Sequence, residues 1–285
     1  MTRIKSFARF AAVVALALVI AVPAFAARGR ADFTVFVAIG DSYGAGVESG
    51  SLNANHQPFS WPAVIARQAG VADFQQPLVT FPGIPPGIEL QLVDVVSFPP
   101  VILPASGAGQ PVNLNLPRPY NNLSVPGATV TDVITLKGNE QNPTSTAAQF
   151  ARFILRGLGT EVEQAIGLHP TFIVIWIGGN DLLGSVLAGT PRALTPTDTF
   201  RASYNRMLDA LVAFAPDAGI VVGNLPTSPA ALPFLTTVPP VLINPQTRLP
   251  VLLQNGQPIF FIADLGGGTI GQLTPGSAVL LPCSA

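Results

Sequence analysis

Three runs of apolar, β-prone residues recur along the chain, from Phe33 to Ile39, from Phe172 to Ile177 and from Gly219 to Gly223. Nearly every position within each run is apolar, rather than every second one. Such continuous runs are typical of strands that are covered on both faces in a parallel sheet. The pattern therefore predicts three strands of one sheet.

Segments with apolar residues at helical spacing lie between these runs. The predicted helices span residues 61–68, 130–136, 144–157, 160–167 and 197–215. Ser60 is suited to cap the first of them, and Gly70 is suited to end it. Because strands alternate with helices, the sequence predicts an α/β fold built on a parallel sheet.

Two proline-rich stretches, Pro77–Pro119 and Pro226–Pro258, interrupt this alternation and predict long ordered loops. The chain has 29 prolines in 285 residues, about twice the usual share of roughly 5%. In the second stretch Asn255-Gly256 separates two apolar runs, Pro250–Leu253 and Gln257–Ile262, which is typical of a β-hairpin. We therefore expect an antiparallel insertion near the end of the chain.

The first 26 residues have the pattern of an export signal. Arg3, Lys5 and Arg9 precede an apolar run that ends at Pro23, and small residues follow at Ala24 and Ala26. The run is shorter than the roughly 18 residues that a membrane anchor needs. We expect cleavage after Ala26, a secreted or periplasmic protein in residues 27–285, and no stable membrane span after cleavage.

Composition excludes several function classes. The formal net charge is -1 and only 10% of residues are charged, so no basic surface for nucleic acid is expected. The sequence contains no metal cluster or phosphate loop, and we expect neither a metal nor another cofactor. The single cysteine, Cys283, is either a free thiol or lacks its partner in the printed sequence.

Two polar motifs follow directly after predicted strands. Gly40-Asp41-Ser42-Tyr43 ends the first strand, and Gly178-Gly179-Asn180-Asp181 ends the second. A serine hydroxyl is a weak nucleophile unless a turn presents it and a base removes its proton. The first motif also fits the nucleophile elbow G-x-S-x-G, but that elbow follows several earlier strands. A dinucleotide-binding loop is disfavoured because Gly44, Gly46 and Gly50 are wrongly spaced.

Together with the segment that ends in Pro126-Gly127-Ala128-Thr129, these motifs resemble the SGNH or GDSL-type lipase and esterase family. The resemblance implies a flavodoxin-like, doubly wound parallel sheet with its site at the carboxyl ends of the strands. It implies Ser42 as the nucleophile, with an oxyanion hole formed by the Ser42 and Gly127 N–H groups and the Asn180 side chain. We expect Asp41 to orient the turn or to cap the next helix.

The chain departs from the family pattern at the catalytic base. The family carries an Asp-x-x-His block near its C-terminus, whereas this sequence has no histidine after Asp181, only His56 and His169. We expect His169 at the opposite edge of the sheet from Ser42, and His56 in a loop at the rim of the cleft. The catalytic aspartate and histidine are thus not present in the printed chain. A naturally degenerate enzyme is one explanation. We favour the other, that the sequence is C-terminally incomplete here and that the natural chain continues with the last strand, an Asp-x-x-His block and a terminal helix.

The resemblance implies a lipid or simple carboxylic ester as substrate. Two alternatives stay open: a polysaccharide deacetylase of the same family, and a catalytically inactive secreted binding protein. The apolar stretch from Pro77 to Pro104 is expected to form either a wall or lid for acyl chains, or packed core.

Overall fold

The computed structural model describes residues 31–94, 96, 101–188, 191–225, 235–237, 240–244, 246–264, 270–274 and 278–280. The leader and Cys283 lie outside the described residues. The export signal, its cleavage after Ala26 and the state of the cysteine therefore stay predictions.

The strands of the described part are β1 (Phe36–Gly40), β2 (Val47–Glu48), β3 (Ser51–Leu52), β4 (Leu90–Asp94), β5 (Val101–Pro104), β6 (Phe172–Trp176), β7 (Gly219–Val222), β8 (Leu235–Thr237), β9 (Ile262–Asp264), β10 (Ile270–Gln272) and β11 (Ala278–Leu280). The helices are α1 (Ser42–Ala45), α2 (Trp61–Ala69), α3 (Asp132–Thr135), α4 (Thr146–Ile154), α5 (Glu161–Gly167), α6 (Gly179–Ala188) and α7 (Thr197–Phe214). Two 3₁₀ turns span Gln57–Phe59 and Pro191–Ala193.

The central sheet has the order β1-β6-β7, and both pairings are parallel. Phe36 pairs with Phe172, and Phe172 pairs in turn with Gly219. On the other side of β1, Ala38 forms a parallel bridge with Asn122. The chain beside Asn122 thus takes the place of an edge strand, and the three strands predicted from the sequence are confirmed.

Helices cover both faces of this sheet. Alternate side chains of a strand point to opposite faces, so each strand contributes to two packing layers. Val37 and Ile39 pack into a large core that also holds buried residues of α4, α5 and α7. Phe36 and Ala38 point the other way and pack with Ala66 of α2. The prediction of a doubly wound α/β fold is confirmed.

The predicted helix ends are confirmed at two positions. The Ser60 hydroxyl accepts a hydrogen bond from the Ala63 N–H, and Gly70 ends α2 in the left-handed conformation with φ of 71°. At α5, Thr160 and Glu163 form a reciprocal capping box. The sequence pattern did not predict α6, because two glycines within it, Gly179 and Gly184, lower its helix propensity.

The first proline-rich stretch contains the antiparallel hairpin β4–β5. Its apolar side chains are largely exposed, with Leu92 58% and Val93 59% accessible. The interpretation of this hairpin as packed core is therefore wrong. Its apolar residues occupy both faces of a two-stranded ribbon, and a ribbon of two strands cannot bury both of its faces by itself.

The predicted turn at Asn255-Gly256 is present. Gly256 has φ of 80°, and the Leu253 N–H donates to the carbonyl of Gln257 across 2.7 Å. Flanking pairing is limited to isolated antiparallel bridges such as Leu252 with Pro258. Proline has no N–H to contribute to a ladder, so this hairpin is less regular than the sequence pattern predicts.

Within the described residues, no helix combines the length and the apolar character needed to cross a membrane.

Candidate active site

The first polar motif forms a tight turn between β1 and α1. Ser42 is the first residue of α1, so its N–H belongs to the group that has no acceptor within a helix. Asp41 caps the helix, because its Oδ1 accepts a hydrogen bond from the Tyr43 N–H at 3.1 Å. A Cβ at Gly40 would lie only 2.8 Å from the Trp176 carbonyl oxygen. The close approach of two strands thus requires glycine here, and the expected capping role of Asp41 is confirmed.

The segment that ends in Pro126-Gly127-Ala128-Thr129 lies beside this turn and is joined to it by hydrogen bonds. The buried Asn122 donates from Nδ2 to the carbonyl of Gly44 at 2.8 Å. Three residues further along the chain, the Val125 N–H donates to the carbonyl of Gly40 at 3.0 Å. Gly127 then adopts φ of 84°, a left-handed conformation that favours glycine. Gly127, the predicted oxyanion donor, therefore lies on a loop that is anchored to the turn that carries Ser42.

The motif Gly178-Gly179-Asn180-Asp181 follows β6 and begins α6. Asn180 donates from Nδ2 to the carbonyl of Ala128 at 2.9 Å, and the Asp181 carboxylate accepts the Val130 N–H at 2.9 Å. A Cβ at Gly179 would lie 3.3 Å from the Asp41 carboxylate. The structure thus brings the three loops that carry Ser42, Gly127 and Asn180 together at the carboxyl ends of β1 and β6.

Several carboxyl groups lie beneath these loops. Burial, together with the charge of Asp181, raises the pKa of Asp41 to about 6, although the hydrogen bond from Tyr43 lowers it. Burial likewise raises the pKa of Asp181. The pKa of Glu161, which is fully enclosed, is raised well above its ordinary value, first by burial and then by Asp41 and Asp132. Burial thus raises the pKa of all three carboxyl groups.

Glu161 was not singled out by the sequence. Its carboxyl oxygen accepts the Gly40 N–H at 3.1 Å, inside the protein. The sequence does contain a signal that Glu161 is buried, because Glu161 shares a helical face with Gln164 and Ala165, at spacings of i, i+3 and i+4. All three residues are buried.

Of the two histidines, only His56 is held by other side chains among the described residues. The two ring nitrogens of His56 are each 2.9 Å from a carboxylate oxygen, one of Glu48 and one of Glu89. Burial raises the pKa of Glu89, but hydrogen bonds from Ser51, His56 and Asn53 and the attraction of His56 outweigh it, so the pKa is lowered.

His169 follows α5 with φ of 51° and is exposed. It lies two residues before Thr171, whose N–H donates to the carbonyl of Val35, just before β1 begins. His169 therefore lies at the amino ends of the strands, on the side away from Ser42, as the sequence indicates.

A recess of 210 Å³ lies beside the motif Gly178-Gly179-Asn180-Asp181. Its lining combines Gly178 and Asp181 with apolar side chains, among them Leu182, Phe200 and Leu225. In the described part of the chain, no group of three or more histidine, cysteine, aspartate or glutamate residues is arranged to hold a metal ion.

Residues 36–260 match the family model described as GDSL-like Lipase/Acylhydrolase. Searches of the curated proteins and of the solved structures gave no significant match. The matched range contains β1, β6, β7 and all three loops of the site.

Proposed function

The chain belongs to the GDSL-like lipase/acylhydrolase family and is a hydrolase of ester substrates; from that premise we propose that it is a secreted serine esterase or lipase. Its substrates are carboxylic esters of lipids or of simple acyl groups. The observation that carries the proposal is the convergence of the Ser42, Gly127 and Asn180 loops, which are tied together by the hydrogen bond from Asn180 to Ala128.

In the proposed reaction the Ser42 hydroxyl attacks the ester carbonyl and gives up its proton to a base. The former carbonyl oxygen becomes negative, and the N–H groups of Ser42 and Gly127 together with the Asn180 amide stabilise it. The alcohol then leaves with a proton, and water hydrolyses the acyl-serine. Neither His56 nor His169 is assigned as the base, because the first is held by two carboxylates and the second is at the other edge of the sheet.

Two features support acyl esters as the substrate class. The recess beside Gly178 and Asp181 is lined largely by apolar side chains, and the β4–β5 hairpin exposes Leu90 and Leu92. Apolar surfaces of this kind suit an acyl chain better than a polysaccharide, whose hydroxyl groups need polar partners.

The test is a series of p-nitrophenyl esters of increasing acyl length, hydrolysed by the full-length protein as wild type and by its Ser42→Ala variant. We expect Ser42→Ala to lower kcat at least about a thousandfold. Ser106→Ala, at an exposed serine in a loop, is the matched control and is expected to behave as the wild type. A fluorophosphonate should label the wild type at Ser42, and labelling elsewhere would refute the assignment.

A second candidate is a catalytically inactive binding protein with the same fold. The observation in its favour is that both nitrogens of His56 are engaged by carboxylates. Absence of Ser42-dependent turnover, with retained binding of a fatty-acid or ester ligand by calorimetry, would favour this candidate. Acyl-length dependence of turnover would in turn separate a lipase from a deacetylase.

Secretion is part of the proposal and rests on the leader sequence before Ala26. Expression of the full sequence in a secreting host, followed by mass spectrometry of the medium, tests it. We expect a mature chain that starts at Ala27. An intact leader on cell-associated protein would contradict the proposal.

A further inference from the structure

The backbone N–H of Gly40 has a side-chain acceptor where a regular sheet would provide a backbone carbonyl. Beside β1, the N–H and the carbonyl of Ala38 both bond the segment 121–125, at 2.8 and 2.9 Å. Continuation of this parallel ladder would give the Gly40 N–H the carbonyl of Leu123 as its acceptor. The N–H donates instead to Oε2 of Glu161 at 3.1 Å.

The Glu161 carboxyl replaces the backbone acceptor at the junction of two loops of the site. The carbonyl of Gly40 still accepts the Val125 N–H at 3.0 Å, two residues before Gly127. The Glu161 carboxyl therefore enters the ladder between the turn that carries Ser42 and the loop that carries Gly127.

Glu161 is not needed to cap its helix. It is 1% exposed and is the first residue of α5, whose N-terminus is already capped by Thr160 and Glu163 through bonds of 3.1 and 2.8 Å. Burying a carboxyl group is costly unless a specific partner compensates it. The partner that the structure provides is the Gly40 N–H.

The charge state suits this position. Burial, and then the charges of Asp41 and Asp132, raise the pKa of Glu161 well above its ordinary value, while the Gly40 N–H opposes the shift. A neutral carboxyl still accepts the Gly40 hydrogen bond, and it adds no negative charge near a developing oxyanion.

We propose that Glu161 is a positioning residue of the active site, whose buried carboxyl group holds the Gly40 N–H and thereby fixes the Ser42 turn against the Gly127 loop. This inference rests on the proposed role of Ser42 as the nucleophile.

Two variants of similar volume separate the effect of losing the hydrogen-bond acceptor from the effect of losing the packing. Glu161→Gln keeps a neutral oxygen acceptor, and we expect its kcat to match that of the wild type. Glu161→Leu fills the space but offers no acceptor, so we expect kcat to fall about ten- to a hundredfold with little change in KM. Equal kcat in the two variants would overturn the proposal.

The matched control lies on the same helix. Gln164 is also buried, and its Nε2 donates to the carbonyls of Leu155 and Gly159, away from the site. Gln164→Leu removes those bonds and should lower Tm while leaving kcat at the wild-type value. If it lowers kcat as much as Glu161→Leu does, the role of Glu161 is structural only and the proposal fails.

Two readouts do not require turnover and keep this inference distinguishable from the proposed function. Hydrogen exchange of the Gly40 amide should be faster in Glu161→Leu than in Glu161→Gln or Gln164→Leu, and equal exchange would overturn the contact. The second readout is the pH dependence of Tm. Because the folded-state pKa is raised, the wild type should lose stability as pH rises above about 4.5, relative to Glu161→Gln.

These readouts also decide the outcome if Glu161→Leu does not fold. In that case the Gly40 amide should be protected from exchange in both the wild type and Glu161→Gln, and exchange as fast as that of an unbonded amide in either protein would overturn the proposal. If Ser42→Ala retains full turnover while the Gly40 amide still depends on Glu161, the proposed nucleophile is wrong and the positioning contact stands.

Discussion

The side-chain amide of Asn180 donates a hydrogen bond to the backbone carbonyl of Ala128 across 2.9 Å. This contact fixes the third loop of the site to the second, next to Gly127. One amide hydrogen is used in the contact, and the amide group has a second hydrogen to offer. Asn180 therefore joins two loops and still has a donor for a negatively charged oxygen.

Asn180→Ala is expected to lower kcat about a hundred- to a thousandfold, since the proposed oxyanion hole loses one donor. KM should change less, because the donor acts mainly on the charge that develops in the transition state. Steady-state kinetics with a p-nitrophenyl ester measures both. Asn139→Ala, at an exposed asparagine, is the control, and an unchanged kcat in Asn180→Ala would remove Asn180 from the oxyanion hole.

His56→Gln is expected to leave kcat unchanged. Each ring nitrogen is 2.9 Å from a carboxylate oxygen, of Glu48 or of Glu89, so both nitrogens already have partners other than Ser42. The substitution should lower Tm instead, because the Glu89 carboxylate, 6% exposed, loses a partner. Kinetics and thermal unfolding of the same preparation test this. A large loss of kcat at unchanged Tm would make His56 the base.

The fold could be predicted from the sequence to the extent that it depends on continuous apolar runs and on caps. β1, β6 and β7 were each predicted as a run that is apolar at almost every position, and Ser60 and Gly70 mark the ends of α2 by local chemistry. The β4–β5 hairpin could not be assigned, because an apolar run has the same composition whether it is buried or exposed.

The site could be predicted only in part, for a related reason. Ser42, Gly127 and Asn180 lie in motifs that are contiguous in sequence, and a resemblance can carry each of them over. Glu161 acts through one contact with Gly40, 121 positions away in the chain. No local pattern contains such a partner, and only the folded structure brings the two residues together.

Gly44→Ala is expected to destabilise the protein by about 1 to 3 kcal/mol, because an added Cβ overlaps the Ser124 side chain. The Ser124 hydroxyl is itself buried without a hydrogen-bond partner among the described residues. Gly44→Ala combined with Ser124→Gly should therefore recover part of the loss. Urea unfolding of the wild type, both single variants and the double variant measures the coupling. Strict additivity of the two changes would contradict this packing.

Asp41→Asn should change how stability depends on pH. Burial, with the charge of Asp181, raises the pKa of Asp41 from 3.8 to about 6. Since the unfolded chain ionises first, the wild type loses stability as pH rises from the ordinary value through the folded one. The loss amounts to about 3 kcal/mol above pH 6.

An asparagine side chain at this position would cap α1 as well as aspartate does and cannot ionise. The gain in Tm of Asp41→Asn over the wild type should therefore grow between about pH 4 and about pH 7. Asp217→Asn, at an exposed aspartate, serves as the control and should show no such growth. Thermal unfolding followed by circular dichroism at several pH values measures the difference. A difference in Tm that stays constant with pH would mean that Asp41 keeps its ordinary pKa in the folded protein, and hence that water reaches the nucleophile turn.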